Sequence, residues 1–418
     1  MKREKELDLL SELAGLREAG SAFLDETVTR SPVDRYLDPD RFEAERRDLF
    51  RALPMIAAHS GELAETDSFL RRQLAGLPVL LTRDSDGRAH AFLNVCRHRG
   101  ARLVDGDKGQ CRGALVCPFH GWVYNTDGSL RGASRPDALG DFDRADFGLN
   151  PIELEIWHGF IFLRFHPGPQ PSVATLLAPF DADFAGYRAD TLLASDGWTW
   201  AETVLPVNWK SVRDVDNEGY HVPLAHPSLQ ELYGRDYRDL YLKGGLSASF
   251  GYFGDKQGRR WSVRHYLTTT EERTDLPPHL RNAWSYYGIF PNQVFAFTPE
   301  GAQFYHDLPV STRKTRLTGR LYRRPVEERR QRLARYLAAR IDRDTSAEDQ
   351  QLTIWSNEAM KSQAFDGFHL SDLEYGVRRH HDRLRALLPV MRHDEAPAEA
   401  DLARLNAESL GKLASAIP

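Results

Sequence analysis

The sequence predicts an α+β protein in two units: a β-rich block at about 40–165, and a larger unit made of residues 1–39 and 166–418 in which strands are covered by helices. Three observations carry this. Short apolar strands separated by Asp-Gly turns crowd the first block. A second set of candidate strands falls between 246 and 323, and helical patterns follow from 325 to 388. A chain of 418 residues is ample for two domains.

The elements follow in order. Residues 3–17 set leucines at 7, 9, 10, 13 and 16 among charges, which predicts an amphipathic helix. Asp40–Leu53, with apolar positions at 42, 49, 50 and 53, predicts another. From Leu77 the texture changes. Val79-Leu-Leu-Thr, Asp84-Ser-Asp-Gly and His90-Ala-Phe-Leu-Asn-Val read as a hairpin around Asp86-Gly87. Trp122-Val-Tyr leads to a turn at Asp127-Gly128, and Phe160-Ile-Phe-Leu-Arg-Phe closes the block. His166-Pro-Gly-Pro-Gln-Pro marks a boundary, because neither helix nor ladder accommodates it. Beyond it, strands are predicted at Ser247–Phe253, Trp261–Leu267, Gln293–Thr298, Phe304–Leu308 and Thr315–Tyr322, and helices at Pro325–Arg340, Ala347–Ala364 and Leu370–Leu388. The arginine-rich run 323–340 reads as a solvated helix face that turns Leu333, Tyr336 and Leu337 inward.

Composition excludes several classes. Lys+Arg 55 against Asp+Glu 60 gives a net charge of −5, without the basic excess of a nucleic-acid binder. Apolar runs such as Leu77–Thr82 are strand-length, far short of a membrane span. The start, Met1-Lys-Arg-Glu-Lys-Glu-Leu, lacks the apolar core of a secretory signal. Cysteine is scarce: Cys96, Cys111 and Cys117 cannot build a disulfide framework, so a cytoplasmic protein is expected.

Two of those cysteines sit in paired loops. Cys96-Arg97-His98 is followed, after 18 intervening residues, by Cys117-Pro118-Phe119-His120-Gly121-Trp122. Each loop supplies one thiolate and one imidazole. A zinc finger usually groups a Cys pair and then a His pair. The mixed arrangement instead lets two opposed loops place both cysteines on one iron and both histidines on the other, as in a Rieske [2Fe–2S] centre. Pro118 and Gly121 suit the tight turns this needs. A structural zinc site is the competing reading, and Cys111 fits neither loop and reads as a buried free thiol.

Farther on, Asn208-Trp209-Lys210 leads into Asp214-Val-Asp-Asn-Glu218-Gly-Tyr-His221-Val-Pro-Leu-Ala-His226. The two histidines could converge near a helix end, with Pro223 imposing an irregular turn between them. A His pair alone is a weak metal signal. Glu218, three residues before His221, could hydrogen-bond a ligand from behind.

Asn94-Val-Cys-Arg-His-Arg-Gly-Ala, Cys117-Pro-Phe-His-Gly-Trp-Val-Tyr and Glu218-x2-His221-x4-His226 together resemble the terminal oxygenase α subunits of the Rieske non-haem iron oxygenases. Leu53-Pro-Met and Val215 depart from that family, which often has Trp and Asn there. The resemblance implies an all-β Rieske domain and a catalytic domain with an antiparallel sheet covered by helices. It implies that Cys96, His98, Cys117 and His120 hold the [2Fe–2S] cluster, and that His221 and His226 bind a mononuclear Fe(II). It assigns Glu218 to the junction between the two centres of neighbouring subunits. A distant carboxylate completes the iron site, for which Ala347-Glu-Asp-Gln-Gln-Leu resembles the carrier helix; Asp349 is the choice, with Glu348 and Asp344 as competitors. His380 and His381 are read as surface or structural residues.

The chain has no G-x-G-x-x-G and no cysteines for a second cluster, so electrons from NAD(P)H must come through a partner reductase, with or without a ferredoxin. The family further implies a homotrimer, or an α subunit of an α/β oligomer, acting on O2 and a small organic molecule. Hydroxylation or dihydroxylation of an aromatic substrate is expected. Oxidative demethylation of a quaternary ammonium or methoxy substrate is the alternative, toward which Glu at 218 tilts. Tyr220, Phe290, Phe295 and Phe297 are candidates for pocket lining, with core packing as their competing role. An electron-transfer Rieske protein without chemistry of its own, and a zinc-stabilised binding module, are the rival classes.

Overall fold

The computed structural model describes residues 3–18, 28–140, 142–166, 170–195, 203–234, 236–254, 258–362, 364–387 and 404. Within the first block, alternation of apolar residues is satisfied by small antiparallel sheets. Ala89–Leu93, Leu77–Arg83, Ser68–Leu74 and Lys108–Gln110 pair in that spatial order. The expected hairpin is present, with Arg83 opposite Ala89 and Gly87 at φ +78°, a conformation glycine adopts freely. Leu115–Val116, Val123–Tyr124 and Leu130–Gly132 form a second sheet, whose first turn carries the Cys117 loop, while the Cys96 loop follows Ala89–Leu93 of the first sheet.

The closing strand, Phe160–Arg164, is buried along its whole length because it serves two cores. It pairs with Glu153–Trp157 on one side and Met55–His59 on the other. Ile161 and Leu163 pack with Val79 and Leu81 of the first block, whereas Phe160 and Phe162 pack with Phe295, Phe304 and Tyr287 of the large sheet. The period of two along a strand therefore joins the two regions. Each of these buried phenylalanines contributes about 1.5–3 kcal/mol of burial free energy.

The large sheet has Leu193–Ala194, Lys314–Arg323, Gly301–Ser311, Gln293–Thr298, Ala283–Ile289, Leu246–Tyr252 and Tyr237–Tyr241 in spatial order, and Thr203–Leu205 also pairs with Lys314–Arg323. All its pairings are antiparallel. A 31-residue helix, Arg329–Ala359, packs against Trp261–Thr269 and Trp209–Asp216.

Several expectations are corrected. Trp261–Thr269 is a helix, not a strand: Val263, Tyr266 and Leu267 are buried at helical spacing. The helices expected at 325–340 and 347–364 are one element, because nothing between Arg340 and Ala347 breaks the backbone ladder. The helix predicted at Asp40–Leu53 begins at Pro39, capped by the Asp38 side chain, and passes through a π turn that ends at Leu49. Leu370 closes the strand Gly367–Leu370, which pairs with Thr29–Pro32, and the last helix is Tyr375–Leu387. Leu388 lies outside the described residues, as do residues 167–169 of the predicted boundary. Leu337 points inward as expected, but Leu333 and Tyr336 are 48% and 37% exposed. Cys111 is half-buried, its Sγ 2.9 Å from the Asp67 carbonyl.

Candidate functional site

The two Cys-His loops have the same backbone construction. The Gly100 amide donates to the Cys96 carbonyl at 3.0 Å, and the Gly121 amide donates to the Cys117 carbonyl at 3.0 Å. Both glycines have positive φ, +75° and +69°. Gly100 was thus a second signal of the paired loops, legible as a glycine four residues after each cysteine. The Cys96 amide donates to Ala101 and the Cys117 amide to Trp122, which clamps each loop at its base.

Cys96 and Cys117 are buried free thiols, and the His98 and His120 rings lie 4.5 Å apart. The His98 ring stacks on Trp122 at 5.0 Å. Among the described residues, the Nδ1 atoms of His98 and His120 are buried without a hydrogen-bond partner. Two orphaned imidazole nitrogens and two buried sulfurs, carried by paired loops, form a donor set whose chemistry fits a [2Fe–2S] cluster of mixed ligation. Burial, His98 and Arg99 lower the His120 pKa, which keeps that ring neutral as a ligand must be. Burial pushes the Cys96 thiol up, opposed by the Tyr124 hydroxyl 3.4 Å from its sulfur.

The second site is built on an anchored helix. Asn208 caps Trp209–Asp216 by accepting from the Lys210 amide, while its Nδ2 donates to the carbonyls of Tyr36 and Thr312. Glu45 is fully buried and receives both the Trp209 indole N–H at 2.7 Å and the Lys210 ammonium at 2.5 Å. Removing either charge would leave the other buried and unpaired, at about 3–5 kcal/mol.

His221 and His226 bracket a one-turn helix, Val222–Ala225, whose early position accepts Pro223 without losing a backbone bond. Their Nε2 atoms face each other at 3.0 Å. Asp349 Oδ1, from the long helix, lies 2.8 Å from His226 Nε2 and 3.5 Å from His221 Nε2. Each imidazole is held from behind by a carboxylate: Glu218 Oε1 is 2.5 Å from His221 Nδ1, and Glu348 Oε2 is 2.9 Å from His226 Nδ1. Glu218 also accepts from the His221 amide at 3.1 Å. In the neutral tautomers the Nδ1 protons go to these glutamates, and two Nε2 lone pairs converge beside a carboxylate oxygen. That set fits a divalent iron with open positions.

Asp344 pairs with Arg343 away from this cluster. Burial opposes charge on His221, but its bonds to Asp349 and Glu218 outweigh that and raise its pKa to about 10. His226 is raised by Asp349 and Glu348 against the same penalty.

The His221, His226 and Asp349 cluster sits in a cavity of about 1140 Å³, including its open mouth, between the sheet and the long helix. Tyr233, Tyr237, Tyr286 and Tyr305 supply aromatic walls, and Asp216 and Asp342 supply carboxylates. The Tyr233 and Tyr286 hydroxyls meet at 3.0 Å. Asp342 is half-buried, and the loss of solvent around its carboxylate raises its pKa to about 7. Arg213 is paired with both Asp216 and Asp307. None of the four aromatic candidates from the sequence lines this cavity: Tyr220 is 59% exposed, and Phe290, Phe295 and Phe297 are core residues. The tyrosines were missed because two of their strands, Tyr237–Tyr241 and Ala283–Ile289, carry no turn signal strong enough to mark them.

His380 and His381 are buried, not on the surface, and both hydrogen-bond to other parts of the fold. His381 Nε2 contacts Asp214 at 2.9 Å, which also accepts from the Tyr36 hydroxyl, and His380 Nε2 contacts the Pro291 carbonyl.

Comparison with known proteins agrees with this geometry. Residues 54–143 match the Rieske [2Fe-2S] domain, and residues 186–389 match the catalytic domain of the ring hydroxylating alpha subunit. The glycine betaine monooxygenase oxygenase subunit of Pseudomonas aeruginosa is 35% identical over 198 residues, covering 47% of this chain and 45% of that protein. The carnitine monooxygenase oxygenase subunit of Escherichia coli is 31% identical over 223 residues, covering 53% and 58%. The chain thus spans about half the length of the curated relatives it matches. Among solved structures, a quaternary ammonium Rieske monooxygenase in complex with L-carnitine superposes with TM-score 0.69 at 22% identity, covering 84% of this chain and 94% of that one. Naphthalene 1,2-dioxygenase from Rhodococcus sp. gives 0.67 at 19%, covering 99% and 98%. This chain thus carries a Rieske [2Fe-2S] domain over residues 54–143 followed by a ring-hydroxylating alpha catalytic domain over residues 186–389.

Proposed function

We propose that this chain is the terminal oxygenase component of a Rieske system and that it inserts oxygen into a quaternary ammonium substrate. The observation that carries this reading is the convergence of His221, His226 and Asp349 in a cavity walled by tyrosines and carboxylates. In this reading Cys96, His98, Cys117 and His120 hold the cluster, and the Rieske unit spans about 40–165. His221, His226 and Asp349 hold the iron in the unit formed by residues 1–39 and 166–418. Bound there, the iron would supply O2 activation, fed one electron at a time by the cluster.

The protein's own residues do the rest. Glu218 and Glu348 fix the tautomer and orientation of the two imidazoles. Tyr233, Tyr237, Tyr286 and Tyr305 receive a cationic head on their ring faces, where desolvation makes such contacts worth about 2 kcal/mol. Asp342 adds negative potential as it ionises above about pH 7, and Arg213, the guanidinium in this lining, is already paired with Asp216 and Asp307. The glycine betaine and carnitine oxygenases among the relatives support the same substrate class. A reductase, with or without a ferredoxin, delivers the electrons of NAD(P)H, and Glu218 lies at the junction between neighbouring subunits of a trimeric ring.

An aromatic substrate is the second reading, favoured by the anthranilate 1,2-dioxygenase large subunit of Acinetobacter baylyi, 29% identical over 208 residues. The test is a panel assayed with a surrogate reductase, following NADH consumption and product mass. Glycine betaine, carnitine and γ-butyrobetaine form one arm; anthranilate and indole form the other. Oxygenated product from the cationic arm alone is expected. Product from the aromatic arm alone overturns the substrate assignment, and an iron-loaded protein that oxygenates neither overturns the reading.

A further inference from the structure

The groove between the sheet and the long helix does not end at the iron-site cavity. Toward the start of the helix it opens into a second chamber of about 2040 Å³, including its mouth. Its sheet wall is Trp284, Ala296, Ala302 and Leu321, and Leu333 and Tyr336 stand on the helix side. Tyr286 and Asp342 line both chambers, and Gln303 Nε2 donates to Asp342 Oδ1 at 3.2 Å, so the two share one polar wall. Helical spacing produces this. Asp349, Asp342 and Arg335 are seven residues apart and lie on one stripe of the helix.

Charge is segregated along that stripe. Carboxylates face the iron-site cavity, whereas the second chamber carries only arginines beyond the dividing Asp342. Arg335 is neutralised by Glu327 at 2.6 Å and Arg330 by Glu271 at 2.8 Å. Arg329 and Arg332 are exposed and, among the described residues, make no contact with a carboxylate. Leu333, expected in the core, is instead 48% exposed beside them. An apolar hollow with two uncompensated guanidiniums has the complement of a molecule with an apolar body and one anionic end.

We propose that the second chamber binds an amphiphilic monoanion of the medium-chain carboxylate class. Its alkyl body lies against Trp284, Ala302 and Leu321, and its carboxylate meets Arg329 and Arg332. This assignment is independent of which molecule is oxygenated, since it uses no residue of the metal sites.

The experiment is calorimetric titration of the full, iron-loaded chain with decanoate, and with decyltrimethylammonium as the charge-inverted probe. Saturable binding of one decanoate per chain is expected, with decyltrimethylammonium weaker. The double variant R329E/R332E should lose about tenfold or more in affinity, as expected for charge-assisted bonds turned repulsive. Ala339→Phe, which fills the chamber from the half-buried helix face, should weaken decanoate as well. Iron content and the visible spectrum of the cluster, unchanged in both variants, report that they fold. No saturable binding by the parent chain, equal affinity for the two probes, or unchanged affinity in either variant overturns the proposal.

Discussion

Glu348 reaches His226, not the point where the imidazoles converge: its Oε2 lies 2.9 Å from His226 Nδ1, on the far side of the ring from Asp349. Adjacent residues of one helix thus serve the same histidine from opposite edges. Glu218 does for His221 what Glu348 does for His226, so each of the two proposed imidazole ligands has a carboxylate fixing its proton.

This separates the competing acids by experiment. Asp349→Ala is expected to abolish iron binding, because it removes a donor. Glu348→Ala should bind iron with affinity lower by about 10–100-fold, the usual cost of losing a partner behind a ligating histidine. Asp344→Ala should bind normally. Metal analysis after dialysis reads all three, and iron retained by Asp349→Ala would reassign the ligand.

Glu218 carries a second expectation. In Glu218→Gln the side chain can still accept from His221 Nδ1, but its amide end then meets the His221 backbone N–H that the carboxylate now accepts. Both metals should remain, while coupled turnover falls by about 10–100-fold. Full turnover at normal metal content would remove Glu218 from the path between the centres.

The loops and the His pair of the two proposed donor sets were legible in the sequence because their spacing is local: C-x-H and C-x2-H each sit within one loop, and E-x2-H-x4-H spans one helical turn and its flanks. Asp349 needed the resemblance, since nothing local distinguishes it from Glu348 on the same helix. The role of Glu348 was hidden for the same reason; it depends on a contact 122 residues away. The tyrosine walls were illegible because burial of Tyr233, Tyr286 and Tyr305 depends on which sheet face the long helix covers. The helix Trp261–Thr269 was misread because a short apolar run with aromatics fits strand and helix alike, and tertiary packing decided.

Tyr124 should tune the cluster. Its oxygen accepts the Arg97 amide at 3.0 Å, which leaves the hydroxyl proton to donate to Cys96 Sγ at 3.4 Å. Hydrogen bonds to the sulfurs are one of the levers that set such potentials. Tyr124→Phe is expected to lower the reduction potential in a spectroscopic titration, with the cluster intact. An unshifted or raised potential would mean that the hydroxyl does not donate to the thiolate.

Iron uptake should release protons. In the metal-free site the His221 pKa is raised from 6.5 to about 10, first against burial and then by Asp349 and Glu218. His221 therefore holds a proton at neutral pH that a metal ion must displace. The sign is fixed: affinity for iron rises with pH until His221 deprotonates on its own near 10. For the metal-free protein the same shift acts on stability. Its contribution is full below 6.5 and is lost as pH climbs through about 10. Anaerobic calorimetry at neutral pH should give binding enthalpies that scale with the ionisation enthalpy of the buffer. Glu218→Gln should lessen that dependence by weakening the bond that raises His221. Enthalpies independent of buffer would show that the site is already deprotonated before metal arrives, and that Glu218 does not hold a charged imidazole.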